Sequence, residues 1–398
     1  MTAKSDIPHA DWAFPTEVRF GSGRVGELPE ACRALGMARP LLVTDGVIAA
    51  LPMTTAILDS CTADGLAAAL YSDVQANPVE RNVTDGVAVF QAGGHDGVIA
   101  LGGGSSLDVG KAIALMAVQN HPLCDLTIAS FQDFSEVQSK LVTDGLPPVI
   151  TVPTTSGTGS ELGRASAIID EQSQTKKGLF HPLMMPKICI ADPELTLSLP
   201  PAITAAVGFD ALSHSLEAYC CAFPHPFADG VALQGMALVN EALVAAYRDG
   251  ADLSARARMM MASLAGGTAF QKGVGAVHAL SHPLSSRHGI HHGLANAVLM
   301  PYVLAFNMPV IETKLAALAR YLDLGESSGQ AVIDWLVDLR EQCDIPHSLT
   351  SLGITEADIA TLAPLAAADI TAVENPIAVS ERNMVALYRA ALAGDISH

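Results

Sequence analysis

The chain has 398 residues, 50% of them hydrophobic and 16% charged, with 22 basic against 41 acidic side chains and a formal net charge of −19. That length exceeds what one hydrophobic core ordinarily serves, so two domains are expected. The acidic excess excludes a phosphate-backbone partner, which needs clustered Lys and Arg, and seven cysteines without a Cys-x-x-Cys pair exclude a disulfide framework and a zinc ribbon.

No apolar run long enough to span a bilayer is apparent, so no membrane partner is expected. Met1-Thr2-Ala3-Lys4-Ser5-Asp6 lacks the basic start and apolar stretch of a secretory signal, and a cytoplasmic location is expected. From about Val18 to Asp192, short aliphatic runs alternate with Ala-rich segments of helical length. The runs at 40–44, 97–101 and 148–152 are the clearest, and the alternation predicts a parallel sheet with crossover helices.

Asp45 directly follows the first of these runs, where a carboxylate suits an adenosine ribose and disfavours a 2′-phosphate. It is equally placed as an ordinary cap or turn residue. The run at 97–101 leads straight into Gly102-Gly103-Gly104-Ser105, with Asp108 and Lys111 beyond. A strand, a glycine turn and a helix start make an anion site, because free amides and the positive helix end face the charge. The usual G-x-G-x-x-G spacing is absent, and a tight strand-to-helix turn would look the same.

Thr151 to Glu161 packs six hydroxyl side chains and two glycines after a further strand. That is too polar for a core and suits ribose, phosphate and nicotinamide groups, a Ser/Thr-rich surface loop being the alternative. Proline density over Asp192 to Pro201 breaks the pattern. The division expected is 1–195 for an α/β dinucleotide-binding domain and 196–398 for an all-helical domain, where Ala/Leu/Met-rich stretches such as 251–269 and 311–322 carry helical spacing. Cys220 and Cys221 read as buried, inert thiols.

Asp210 and His214 stand four apart in a helical segment and so project from one face. His278 and His282 repeat that spacing, and His291-His292 precede a further helix; seven of the thirteen histidines fall between Gly208 and Gly293. One such pair is commonly a surface contact. Jointly, imidazoles with a carboxylate suit a divalent transition metal such as Fe(II) or Zn(II).

With these residues in view, the chain resembles the iron-containing, or group III, alcohol dehydrogenase family. The likeness is carried by Gly102 to Ser105 with Asp108 and Lys111, by Pro153 to Glu161, by Gly208-Phe209-Asp210 with His214 and Glu217, and by His278 through Gly293. The resemblance implies an α/β NAD-binding domain followed by a helical domain, with a metal in the cleft between them. It implies Asp210, His214, His278 and His292 as metal ligands, Fe(II) first and Zn(II) second, and His282 as a proton-relay residue that is not a ligand. Gly102, Gly103, Gly104, Ser105, Asp108, Thr154, Thr155, Thr158, Lys176 and Asp45 fall at cofactor-contacting positions. It further implies NAD-linked hydride transfer to or from a small alcohol or aldehyde, and a homodimer or larger assembly.

Two arginines depart from the family pattern. Arg164 follows the threonine loop and Arg287 lies between His282 and His292; a guanidinium there suits a carboxylate, so an anionic group on the substrate is an expectation. A maleylacetate reductase-like or glycerol dehydrogenase-like enzyme shares the two-domain plan. A metallohydrolase would use the same ions to activate water, yet would not need Asp45, the glycine turn and the threonine loop.

Overall fold

The computed structural model describes residues 16–128 and 134–396; the reading of Met1 to Asp6 falls outside them. Through the first half run β1 (Glu17–Phe20), α1 (Leu28–Ala34), β2 (Pro40–Val43), α2 (Gly46–Ala49), α3 (Pro52–Ala63), β3 (Ala69–Tyr71), α4 (Glu80–Ala92), β4 (Gly97–Gly102), α5 (Gly104–Met116), α6 (Phe134–Lys140), β5 (Val149–Pro153), β6 (Ala165–Asp170), β7 (Thr175–Phe180) and β8 (Ile188–Ala191). Six strands form one parallel sheet in the order β1-β8-β5-β4-β2-β3.

The buried runs are apolar on both sides because the sheet is covered on both. Leu41, Val43 and Val98 pack with Val109 and Ile113 of α5 and with Val83 and Phe90 of α4. The alternate residues Leu42, Ile99, Leu101, Ile150 and Val152 meet Leu28 and Cys32 of α1 and Ile57 and Cys61 of α3. A period of two along each strand thus feeds two separate apolar layers. After β2 the chain steps outward to β3, then returns to lay β4 on the other side of β2, which opens a crevice between the carboxyl ends of β2 and β4.

An antiparallel hairpin of β6 and β7 stands apart from this sheet, pairing Ala165 to Asp170 with Phe180 to Thr175. The alternating-unit reading did not anticipate it. Its second strand carries Lys176 and Lys177, which interrupt the apolar alternation that marks a strand.

Beyond the turn at Pro193–Thr196 come α7 (Pro201–Cys220), α8 (Pro226–Arg248), α9 (Leu253–Ala269), α10 (Ala276–His288), α11 (His292–Tyr321), α12 (Gly329–Gln342), α13 (Ile359–Ala368) and α14 (Glu381–Ala393). They share one core, in which Phe209 and Leu216 of α7 meet Met236 and Leu243 of α8, Leu280 of α10, Val298 of α11 and Leu387 of α14. Helix α7 is buried almost all round, as a helix apolar on every face should be. Contrary to the expectation from sequence, α8 and α11 are long and apolar enough to cross a bilayer by composition alone. Most of the apolar window of α11 is buried inside the fold, which accounts for its hydropathy, and Cys220 and Cys221 are buried, unbridged thiols whose pKa burial pushes up.

Candidate active site

Between β2 and β4 the crevice is floored by backbone. Gly102 has φ +138°, a conformation open mainly to glycine, and Gly103 is the N-cap of α5. A Cβ on Gly104 would lie 2.9 Å from the Thr158 methyl, so the glycine turn and the threonine loop touch without room for a side chain. Thr154 and Thr155 Oγ1 and Ser156 Oγ are buried and have no hydrogen-bond partner among the described residues. Buried hydroxyls are ordinarily paired, so this strip is suited to a ligand bearing hydroxyl, amide or phosphate groups.

Asp45 has a split role. Its Oδ1 caps α2, accepting from Val47 N at 2.8 Å and Ile48 N at 3.0 Å, whereas among the described residues Oδ2 has a single contact, from Ser106 Oγ of α5 at 3.4 Å. Ser105 Oγ donates to Ala76 O at 2.6 Å. Asp108, expected at a cofactor position, is engaged within the protein: its oxygens accept from Ser160 Oγ at 2.6 Å and Ala167 N at 3.0 Å and pair with Lys111 Nζ at 3.2 Å. One turn into α5, its carboxylate is consumed in tying that helix to the threonine loop and β6. Lys111, fully buried, completes the clamp by donating to Ser160 O at 3.0 Å, Gly163 O at 3.3 Å and Ala165 O.

On the helical side, the i, i+4 spacing on α7 brings Asp210 and His214 together with His278 of α10, their candidate ligand atoms all within 4.8 Å of one another. His292, the first residue of α11, puts Nε2 3.7 Å from Asp210 Oδ1, and its ring centre lies 5.2 Å from that of His278. Close approach depends on Gly293, where a Cβ would overlap the Ala206 carbonyl oxygen of α7. Asp210, His214 and His278 thus form the candidate ligand group, and His292 lies beside them.

The imidazoles are oriented by groups around them. His214 Nδ1 donates to Gly157 O at 3.2 Å, which links α7 to the threonine loop. His278 Nδ1 donates to Glu217 Oε2 at 2.5 Å, while Glu217 Oε1 accepts from Val277 N at 2.8 Å. The opposite atom, His278 Nε2, is buried with no hydrogen-bond partner among the described residues. An orphaned imidazole nitrogen facing a carboxylate and a second imidazole fits a cation, and the neutral ring is the form that ligates. Burial lowers the pKa of His214 and, with Lys176 and the neighbouring histidines, depresses that of His292 further. Burial acts the same way on His278, but the Glu217 bond and charge outweigh it and raise the pKa.

Beside the cluster lies a cleft of ≈ 160 Å³ lined by Lys176 of β7, His282 of α10 and Asp369 after α13, among others. His282 stacks on His292 with ring centres 5.2 Å apart and 19° between planes. Lys176 has no hydrogen bond or ion pair among the described residues; burial lowers its pKa against the pull of Asp108, Asp210 and Asp369. The two arginines lead elsewhere. Arg164 lies over the Phe180 ring at 5.1 Å, and exposed Arg287 donates to Ser173 O at the hairpin tip at 3.1 Å. The long, flexible side chains found local partners that spacing does not reveal. Glu217, Asn296 and Asp369 were absent from the expected set. Asn296 Nδ2 donates to Asp210 Oδ1 at 2.9 Å and approaches His292 Nε2 at 3.2 Å; of the three only Glu217 carried a signal, through its place beside Asp210 and His214 in the stretch that bears the resemblance.

A nucleotide-type crevice on a parallel sheet, facing a carboxylate and imidazole cluster on a helical half, defines an oxidoreductase of two-part construction. The chain belongs to the iron-containing alcohol dehydrogenase family: residues 15–193 match the model described as iron-containing alcohol dehydrogenase, and residues 204–392 match the Fe-containing alcohol dehydrogenase family, C-terminal. It is similar to the 4-hydroxybutyrate dehydrogenase of Cupriavidus necator, 40% identical over 86% of this chain and 89% of that protein. It is also similar to the NAD-dependent methanol dehydrogenase of Bacillus methanolicus, 32% identical over 95% and 99% of the two chains. Among solved structures, a 1,3-propanediol oxidoreductase superposes with a TM-score of 0.90 at 32% identity, covering 97% of this chain and 100% of that one.

Proposed function

We propose that the protein is an NAD-linked, metal-dependent alcohol dehydrogenase or aldehyde reductase that holds Fe(II), or alternatively Zn(II), through Asp210, His214, His278 and His292. The observation that carries this reading is the convergence of three ligand atoms within 4.8 Å around a buried, partnerless His278 Nε2. A divalent metal there would supply Lewis acidity to the substrate oxygen, and nicotinamide would take up or give the carbon-bound hydride. The chain's own part is positioning. The glycine turn and Ser105 admit the pyrophosphate to the start of α5, Oδ2 of Asp45 takes a ribose hydroxyl, and Thr154, Thr155 and Thr158 orient the remainder. His282 moves the hydroxyl proton between the cleft and solvent, a task suited to an imidazole, which can accept at one nitrogen and donate from the other.

An assay over alcohols and aldehydes with NAD and NADP, on protein stripped of metal and reloaded anaerobically with Fe(II) or Zn(II), tests all three elements. The expected result is NAD-preferring turnover that requires added metal and is abolished in Asp210→Ala with His278→Ala. Full activity of the stripped protein, or of that double variant, overturns the metal reading.

A substrate with a carboxylate at its far end is favoured within this class. The relative at 40% identity is named for 4-hydroxybutyrate, and the cleft beside His282 is lined by Lys176, whose amine has no hydrogen bond or ion pair among the described residues. A higher kcat/KM for succinic semialdehyde than for butanal is expected, with the preference removed by Lys176→Met. If Lys176→Met instead weakens NADH binding and leaves the preference intact, Lys176 serves the cofactor alone and the anionic reading fails.

A further inference from the structure

We infer that Asp369 is a positioning residue for His282, fixing its tautomer so that Nε2 presents a lone pair to the reaction cleft; this rests on the proton-relay reading of His282 given above. Asp369 comes from a part of the chain 87 positions away, just after α13, and both residues line the same cleft. Its two oxygens are divided. Oδ1 accepts from Thr371 N at 2.9 Å and Thr371 Oγ1 at 2.7 Å, which caps the short turn at Ile370–Glu374. Oδ2 accepts from His282 Nδ1 at 2.8 Å. With exposures of 17% and 10%, both side chains are largely withdrawn from solvent.

The chemistry follows from that division. A neutral imidazole carries one proton, and whichever nitrogen faces a carboxylate keeps it as the donor. Asp369 therefore holds the proton on Nδ1 and leaves Nε2 as the acceptor, and Nε2 has no hydrogen bond among the described residues. Stacking on His292 sets the ring plane, and Asp369 sets rotation within it. A carboxylate orienting an imidazole that itself accepts a substrate proton is a recurrent arrangement in acid-base catalysis, and its value lies in tautomer and orientation. Here the carboxylate stands in the turn after α13 and its histidine on α10, and the two meet only in the folded chain.

Asp369→Asn is the informative change because it preserves size and the turn cap. The single amide oxygen is claimed by Thr371, so the amide nitrogen faces His282 Nδ1 and donates to it, driving the imidazole proton to Nε2. Expected in metal-loaded enzyme is a fall in kcat and in the single-turnover hydride-transfer rate of at least about 100-fold, the lower end of the range for lost acid-base assistance. KM, NADH affinity and metal content should stay within about twofold of wild type. Thr371→Val, which loses a hydroxyl donor but leaves the His282 bond, should keep wild-type kcat despite a lower melting temperature.

His282→Ala and His282→Ala with Asp369→Asn should be equally slow, since Asp369 acts through the imidazole alone. If His282→Ala is slow while Asp369→Asn turns over like wild type, or if Asp369→Asn slows the His282→Ala background further, the inference is overturned. If Asp369→Asn loses metal or fails to fold, while the same change is tolerated without His282, the inference also falls. If His282→Ala turns over at the wild-type rate, the underlying relay reading fails instead.

Discussion

Glu217 decides which nitrogen of His278 is left bare. With both oxygens engaged, by Val277 N and His278 Nδ1, the carboxylate leaves Nε2 as the free atom in the cluster. Glu217→Gln keeps one acceptor for Val277 N and turns an amide donor toward Nδ1, which moves the imidazole proton onto Nε2, the proposed ligating atom. Residues that orient a metal-binding histidine are worth roughly 10–100-fold in affinity. Anaerobic metal titration should show a loss in that range, and unchanged affinity would remove Glu217 from the site. The pair Asp210 and His214 was legible because helical periodicity converts a spacing of four into a shared face. Glu217 lies on the same helix, but the histidine it meets is 61 residues away. Asp369 and Asn296 likewise act through contacts made only by folding, and Arg164 and Arg287 take partners that their sequence positions do not reveal, because a long side chain can reach away from its backbone.

At the level of elements, the threonine loop is held from two sides. Gly157 sits so close to α7 that a Cβ would overlap the Val207 carbonyl oxygen, and its own carbonyl receives His214 Nδ1. Gly157→Ala should therefore push the loop off α7 at a cost of about 1–3 kcal/mol, lowering the melting temperature and weakening NADH and metal binding together. A variant that loses stability but binds both normally would show that the loop and the imidazole cluster are not coupled through this contact. On the other side, the Lys111 clamp gathers carbonyls of the same loop. Lys111→Met strands Asp108 and those carbonyls, and loss of one partner of a buried ion pair costs about 3–5 kcal/mol; chemical denaturation should show a drop of that order. Strands β2, β4 and β5 were legible because each is an aliphatic run closed by turn residues. The β6–β7 hairpin was hidden because its lysines break the alternation, and its stability comes from cross-strand pairing and the short bridges of Ile128 to Gly178 and Val79 to Ile169.

Across the whole molecule, the residues proposed above for cofactor and for metal fall on different halves. The glycine turn and threonine loop belong to the sheet, whereas Asp210, His214, His278 and His292 come from α7, α10 and α11, the spine of the helical core. A ligand that binds only the folded state adds stability by mass action, about 2.7 kcal/mol at a free concentration one hundred times its Kd. Where that stability appears depends on which elements the ligand ties together. Metal loading should slow amide hydrogen exchange in α7, the start of α10 and the start of α11, with little change in β2 and β4. NADH should protect the turn at 102–105 and the loop at 153–161. The two responses should overlap at one point, the loop segment around Gly157, because its carbonyl is the hydrogen-bond partner of His214. Protection by metal confined to the sheet would contradict the assignment of the ion to the helical half. Strictly separate footprints, with 153–161 unmoved by metal, would mean that the His214 to Gly157 bond does not carry coupling between the halves.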